Sequence, residues 1–158
     1  VEFVLKHTGF ASPDYVAMRG GIENSGAIFT QTGKGRVAFL GGSITEMVGW
    51  RALTYAALEK RFPETTFDFV QAGISSTDST MASFRLEQDV FGNGPVDLLF
   101  MDHTVNDRGN DRDQHERIRA VEGIIRRARK LNPKIDIIVQ YLVEPDSMAF
   151  YQRGDSRR

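Results

Sequence analysis

From Arg36 onward, short apolar runs alternate with longer amphipathic stretches. Arg36-Val-Ala-Phe-Leu-Gly-Gly42 is apolar on both pleat faces and ends in a glycine pair, which predicts a buried parallel strand. Residues 49–62 predict a helix, with Trp50, Leu53, Ala57 and Leu58 near helical spacing and Pro63 as its stop. Thr66 to Gln71 predicts a second strand. Residues 79–91 predict a second helix, with Met81, Phe84 and Val90 facing inward. Gly94-Pro95 introduces a third strand, Val96 to Met101. Residues 111–131 carry the clearest helical period: Ile118, Val121, Ile124, Ile125, Ala128 and Leu131 form one apolar face, and Arg and Glu fill the other. Asn132-Pro133 ends that helix, and Ile135 to Leu142 predicts a fourth strand. By contrast, residues 1–35 are glycine-rich and poorly periodic, and they read as an irregular lead-in to a domain over 36–158.

Strands that alternate with helices imply a parallel sheet with right-handed crossovers. In such sheets ligands bind at the carboxyl ends of the strands. The segments to inspect are therefore Gly41 to Thr45, Ala72 to Ser79, and Asp102 to Asp107.

Composition narrows the chemistry. Hydrophobic residues make up 41% and charged residues 26%, the balance of a soluble globular domain. A net charge of -1 gives no basic excess to hold nucleic acid. Arg126, Arg127 and Arg129 fit the solvated face of a helix, and Arg157-Arg158 adds a basic end. Cysteine is absent, so disulfides, zinc–thiolate sites and cysteine nucleophiles are excluded while the compartment stays open. No apolar run reaches membrane-spanning length. The chain begins at Val1, which leads us to expect residues upstream of it.

In the first loop, Ser43 follows a glycine pair and precedes a helix. A serine on that turn can serve as a helix cap or as an exposed nucleophile. A phosphate loop is ruled out, because Ser43 occupies the second glycine of Gly-x-Gly-x-x-Gly and no Gly-Lys-Ser/Thr occurs. The third loop holds Asn106, which can turn the chain with Asp107 or reach toward Ser43. The second loop, Ala72 to Ser79, is small and polar. Asp102, His103, Asp107, Asp111, Asp113 and His115 match neither an EF-hand loop nor a His-Glu-x-x-His helix, and they read as solvated polar residues opening a helix.

Taken together, Gly41-Gly-Ser-Ile-Thr45, Val70-Gln-Ala-Gly-Ile-Ser-Ser76 and Thr104-Val-Asn-Asp107 resemble the first three blocks of the SGNH hydrolase (GDSL-like lipase/esterase) superfamily. The likeness spans roughly residues 36–142, with GGS in place of GDS. It implies a flavodoxin-like three-layer α/β sandwich, strand order 2-1-3-4, with a fifth strand and its helix missing after the fourth. It implies an esterase acting on a small acyl ester through an acyl-serine intermediate, without a cofactor or metal, and the GGSIT variant leans toward acetylated carbohydrates. Ser43 would be the nucleophile, and Ser43, Ser76 and Asn106 would donate N–H groups to the oxyanion. The second block normally places a glycine where Ser76 falls, so Gly73 is the fallback donor. Thr104 and Gln71 replace the usual Gly and Asn.

The family's base His and its Asp belong to a later Asp-x-x-His block. This chain carries only His7, His103 and His115, none at that spacing. The chain by itself is therefore expected to be catalytically poor, and Ile135 to Leu142 to need a C-terminal fragment or another copy beside it. The rival reading is a non-catalytic binding module that kept this fold without the base.

Overall fold

The computed structural model describes Ala17 and residues 19–142; His7, Arg157 and Arg158 lie outside them. The order of elements is α1 (Glu23–Thr32), β1 (Lys34–Gly41), α2 (Ser43–Glu46), α3 (Trp50–Arg61), β2 (Thr66–Gly73), α4 (Ser79–Phe91), β3 (Leu98–Asp102), α5 (Thr104–Gly109), α6 (Gln114–Leu131) and β4 (Asp136–Gln140). The four strands form one sheet in the order β2-β1-β3-β4, with all pairs parallel. This is the expected order, and all four strands fall where the apolar runs place them.

The pleat sorts each strand's side chains onto two faces. Val37, Phe39, Leu98 and Phe100 face α1 and α3 through Phe29 and Leu58. Ala38, Leu40, Leu99 and Met101 face α4 and α6 through Ala82, Leu86, Val90, Ile124 and Ala128. The result is three layers, with both sheet faces covered. The two cores differ in chemistry. The first is aromatic: Phe39 stacks on Phe100 at 5.0 Å and Tyr55 on Phe69 at 4.0 Å. The second is aliphatic and closely fitted, and each fully buried Leu or Val in it stabilises the fold by roughly 1.5–3 kcal/mol.

Two helices sit in a different rotation from the one their large apolar residues suggest. In α4, Met81 and Phe84 are exposed by 47% and 86%, while Ala82, Leu86 and Val90 are buried. In α3, Leu53 is 69% exposed, and Arg51 and Leu58 turn inward. An inward-turned arginine accounts for each case, Arg51 buried and Arg85 half-buried. Arg51 donates to the carbonyls of Glu46 at 2.8 Å and Met47 at 3.3 Å and to the Tyr55 hydroxyl at 2.8 Å. Arg85 reaches the ends of β1 and β2 from α4. Such bonds demand one orientation, whereas apolar burial is non-directional. In α6, Ala120, Ile124 and Ala128 are buried, Val121 and Ile125 are partly so, and Ile118 and Leu131 face outward.

The irregular reading of 1–35 fails at Glu23–Thr32, which is helical. Its pattern is weak because Gly26, Thr30 and Thr32 are poor helix formers and Phe29 is its one fully buried apolar side chain. Distant chemistry stabilises it instead. Ile22, at the cap position, supplies no side-chain bond. The carboxylate of Asp136, at the start of β4, accepts from Ser25 N–H at 2.7 Å, Ser25 Oγ at 2.8 Å and Asn24 Nδ2 at 3.1 Å. A remote anion thus does the capping and complements the helix dipole.

Asp136→Ala should cost about 2–4 kcal/mol of stability, since it strands buried Ser25 donors without a charged acceptor. Urea unfolding measures this; a loss below about 0.5 kcal/mol would show that α1 is held by Phe29 alone.

Candidate functional site

The three inspected loops meet at the carboxyl edge of β1, β2 and β3. Ser43 begins the single turn α2, and Glu46 N–H and Met47 N–H close it onto the carbonyls of Gly42 and Ser43. The cap position belongs to Gly42, which makes no side-chain bond, so the capping role weighed for Ser43 does not apply. Ser43 is half-buried.

Close approach explains the glycines. A Cβ on Gly42 would lie 2.8 Å from Asn106 Cγ and closer still to its Oδ1. The Asn106 side chain therefore rests against the residue before Ser43, which brings the first and third loops together. A Cβ on Gly73 would lie 2.6 Å from the Thr45 carbonyl carbon and strike Glu46 N. Gly73 thus lets α2 lie directly on the end of β2.

The second loop turns at Ser75-Ser76, with Thr77 N–H donating to Ile74 O at 3.3 Å. Ser76 has φ 62°, in the left-handed region. That conformation is what a glycine would take without strain, and it falls on the position where the resemblance puts the family's glycine. Thr77 Oγ1 donates to Ile74 O at 2.7 Å and pins the turn.

Asn106 and Asp107 lie inside the short helix α5, not in an open turn. Asp107 is buried and accepts from Ser79 N–H at 2.7 Å. Asp78, also buried, caps α4 by accepting from Met81 N–H at 2.9 Å, and takes bonds from Asn110 at 2.9 Å and Arg112 at 2.7 Å. Burial alone would push the Asp78 carboxyl up, but the Met81, Asn110 and Arg112 donors outweigh it and hold it below the usual range. Burial dominates at Asp107 and raises it. These two carboxylates brace the second loop against the third. Sequence reasoning missed both Asp78 and Arg85 as parts of the site's frame. The one available signal was Asp78 standing before the α4 stretch, three residues ahead of Met81.

The solvated reading fails for Asp102, His103 and Asp107, which are buried; Asp102 ends β3 opposite Gly41 and is 4% exposed. Thr45 Oγ1 donates to its Oδ2 at 3.5 Å, and its Oδ1 has no partner among the described residues. Burial pushes this carboxyl up to about 6, against weaker pulls from Thr104 N–H and Thr45. His103 is buried too. Desolvation first, and then the charge of Arg85, lowers its imidazole to about 4, so it is neutral at pH 7. His115 lies on α6 in a groove of about 360 Å³ with Phe84, Glu116 and Arg119. Asp113 caps α6 through Glu116 N–H at 2.9 Å. Among the described residues no group of three or more His, Cys, Asp or Glu side chains could hold a metal ion. No described helix is long and apolar enough to cross a membrane.

The fold and the converging loops define an α/β protein of the SGNH hydrolase architecture. The sequence model of the GDSL-like Lipase/Acylhydrolase family matches residues 39–158. The chain belongs to that family. Among solved structures it is similar to a two-domain esterase active on acetylated mannans, with 25% identity and a TM-score of 0.69 over 80% of this chain. It spans 36% of that esterase's length. It shares the fold of an acetylxylan esterase from Geobacillus stearothermophilus at 20% identity, TM-score 0.59, over 66% of this chain and 58% of that one. A Clostridium thermocellum family 3 carbohydrate esterase matches at 16% identity, TM-score 0.61, over 76% and 68%. No curated protein matches the sequence.

Two outcomes follow from this geometry. Ser76→Gly should raise stability by about 0.5–1 kcal/mol by removing a left-handed non-glycine residue; a destabilisation on thermal melting would contradict the turn described. The Asp102 carboxyl is raised above its ordinary 3.8 in the fold, so proton uptake favours the folded state. Its contribution is full below that ordinary value and lost as pH rises through about 6. Asp102→Asn should therefore be more stable than the unaltered protein at pH 8, by about 1–3 kcal/mol, with the advantage gone near pH 4. A pH-independent difference would show that Asp102 is not the buried titrating group.

Proposed function

We propose that the protein is a serine esterase acting on small acyl esters, with acetylated carbohydrates as the favoured substrate class. The observation that carries the reading is the convergence of three strand-end loops on Ser43, with Asn106 seated against Gly42 and Ser76 in the left-handed turn. Family membership supports the ester chemistry, and the acetylmannan esterase among its structural relatives supports the substrate class.

In this mechanism Ser43 Oγ attacks the ester carbonyl carbon and gives its proton to a base. The carbonyl oxygen becomes an oxyanion held by Ser43 N–H, Ser76 N–H and Asn106 Nδ2. Collapse expels the alcohol, which takes the proton back, and leaves an acyl-Ser43. Water then attacks that acyl group by the same route and releases the acid. No described histidine is assigned as base: His103 is buried with neither ring nitrogen hydrogen-bonded among the described residues, and His115 lies in the α4–α6 groove. The family's Asp-x-x-His block is the expected source.

Ser43→Ala in the full-length protein should abolish hydrolysis of p-nitrophenyl acetate and of acetylated manno-oligosaccharides, together with fluorophosphonate labelling. Labelling that persists in Ser43→Ala would sink the nucleophile. An unaltered protein that binds acetylated oligosaccharides without hydrolysing or labelling would establish the non-catalytic binding module instead.

A further inference from the structure

Arg85 lies on α4 with its side chain 14% exposed, and it is not one of the groups that would touch substrate in the mechanism above. Its NH1 donates to Ala72 O at 2.7 Å and to the Asp89 carboxylate at 3.0 Å. Its NH2 donates to Gly41 O at 3.0 Å and to Thr77 Oγ1 at 3.3 Å. Its Nε has no partner among the described residues. One planar fork therefore joins the last turns of two neighbouring strands and the turn that follows the second.

Two of these partners, Gly41 and Thr77, lie within two residues of a proposed oxyanion donor. Gly41 is two residues before Ser43, and Thr77 directly follows Ser76. The Gly41 carbonyl is the junction: it also accepts from Ile74 N–H at 3.0 Å. The first and second loops thus share one oxygen and one guanidinium. Burying a charge is costly, and a leucine at this position would cover the same apolar surface without that cost. What a leucine cannot do is hold two carbonyls and a hydroxyl at fixed separation. Lysine fails as well, because its ammonium is a point donor on a flexible stem, without the rigid fork.

We propose that Arg85 is a positioning residue for the oxyanion hole, setting the distance between the Ser43 and Ser76 N–H groups. The proposal rests on the esterase reading of the same site. A donor pair misplaced by a fraction of an ångström still binds a ground-state ester but stabilises the oxyanion poorly, so the loss falls on kcat and not on KM.

The test uses the full-length protein and p-nitrophenyl acetate, with fluorophosphonate titration counting active sites so that misfolded protein is not scored. Arg85→Met should lower kcat per titrated site on the order of tenfold to a hundredfold, with KM within about threefold. Arg85→Lys should stay close to Arg85→Met. Ethylguanidinium added to Arg85→Ala should restore part of kcat and leave the unaltered protein unchanged. If Arg85→Met keeps kcat per site within about twofold, or if lysine restores it fully, the fork has no positioning role. These results overturn Arg85 alone, because the unaltered protein is still an esterase. An unaltered protein that neither hydrolyses nor labels overturns the esterase reading, and the positioning role with it.

Discussion

The site depends first on space. At the carboxyl edge of the sheet, α2, the Asp102 carbonyl at the end of β3 and the Asn106 side chain crowd the backbone of Gly41, Gly42 and Gly73 so closely that none of the three can carry a Cβ without displacing a neighbour. Any side chain there would drive the first loop away from the second or the third. The packed interior cannot absorb such a shift gradually, because native cores are close to crystal density. Once the loops are forced together, Gly42 lies against the Asn106 side chain and the Thr77 carbonyl. The proposed chemistry is a consequence of that crowding as much as of the serine.

Buried polar groups then fix what close packing leaves free. Asp78 and Asp107 bind the start of α4 to α5 and the loop after it, and Arg85 binds α4 to the ends of β1 and β2. Asp136 does the same for α1 across 111 residues of sequence. Each of these is an ionisable side chain bonded to backbone groups, and most also hold a hydroxyl, an amide or an opposite charge. Such bonds are strong and directional, and leaving one member unpaired costs more than the bond contributes. The aromatic layer against α1 and α3 and the aliphatic layer against α4 and α6 supply the bulk of the stabilisation. The polar braces select one rotation of each helix.

That division explains which features the sequence reveals. All four strands and their order were legible, since buried parallel strands read as unbroken apolar runs and the loop motifs set their sequence in the sheet. The three loops were legible as the segments that follow those strands, and Ser76 takes a left-handed backbone within the second. Helix faces were less legible. Met81, Phe84 and Leu53 are large and apolar yet face outward, because Arg85 and Arg51 take directional bonds that no hydropathy pattern encodes. Helix α1 was missed because its capping anion, Asp136, belongs to the last strand. Asp102 reads in the sequence as a solvated residue opening a helix, whereas it ends β3 and is buried; its raised titration arises from that burial, which only the fold creates.

The central claim is that three loops converge on one oxyanion beside Ser43. A crystal structure of the full-length protein carrying a phosphonate on Ser43 tests it most directly, since the phosphoryl oxygen stands in for the carbonyl oxygen of the tetrahedral intermediate. The account predicts that this oxygen lies about 2.7–3.1 Å from Ser43 N, Ser76 N and Asn106 Nδ2 together. An adduct whose oxygen faces solvent, or takes its second donor from Gly73 in place of Ser76, would contradict it.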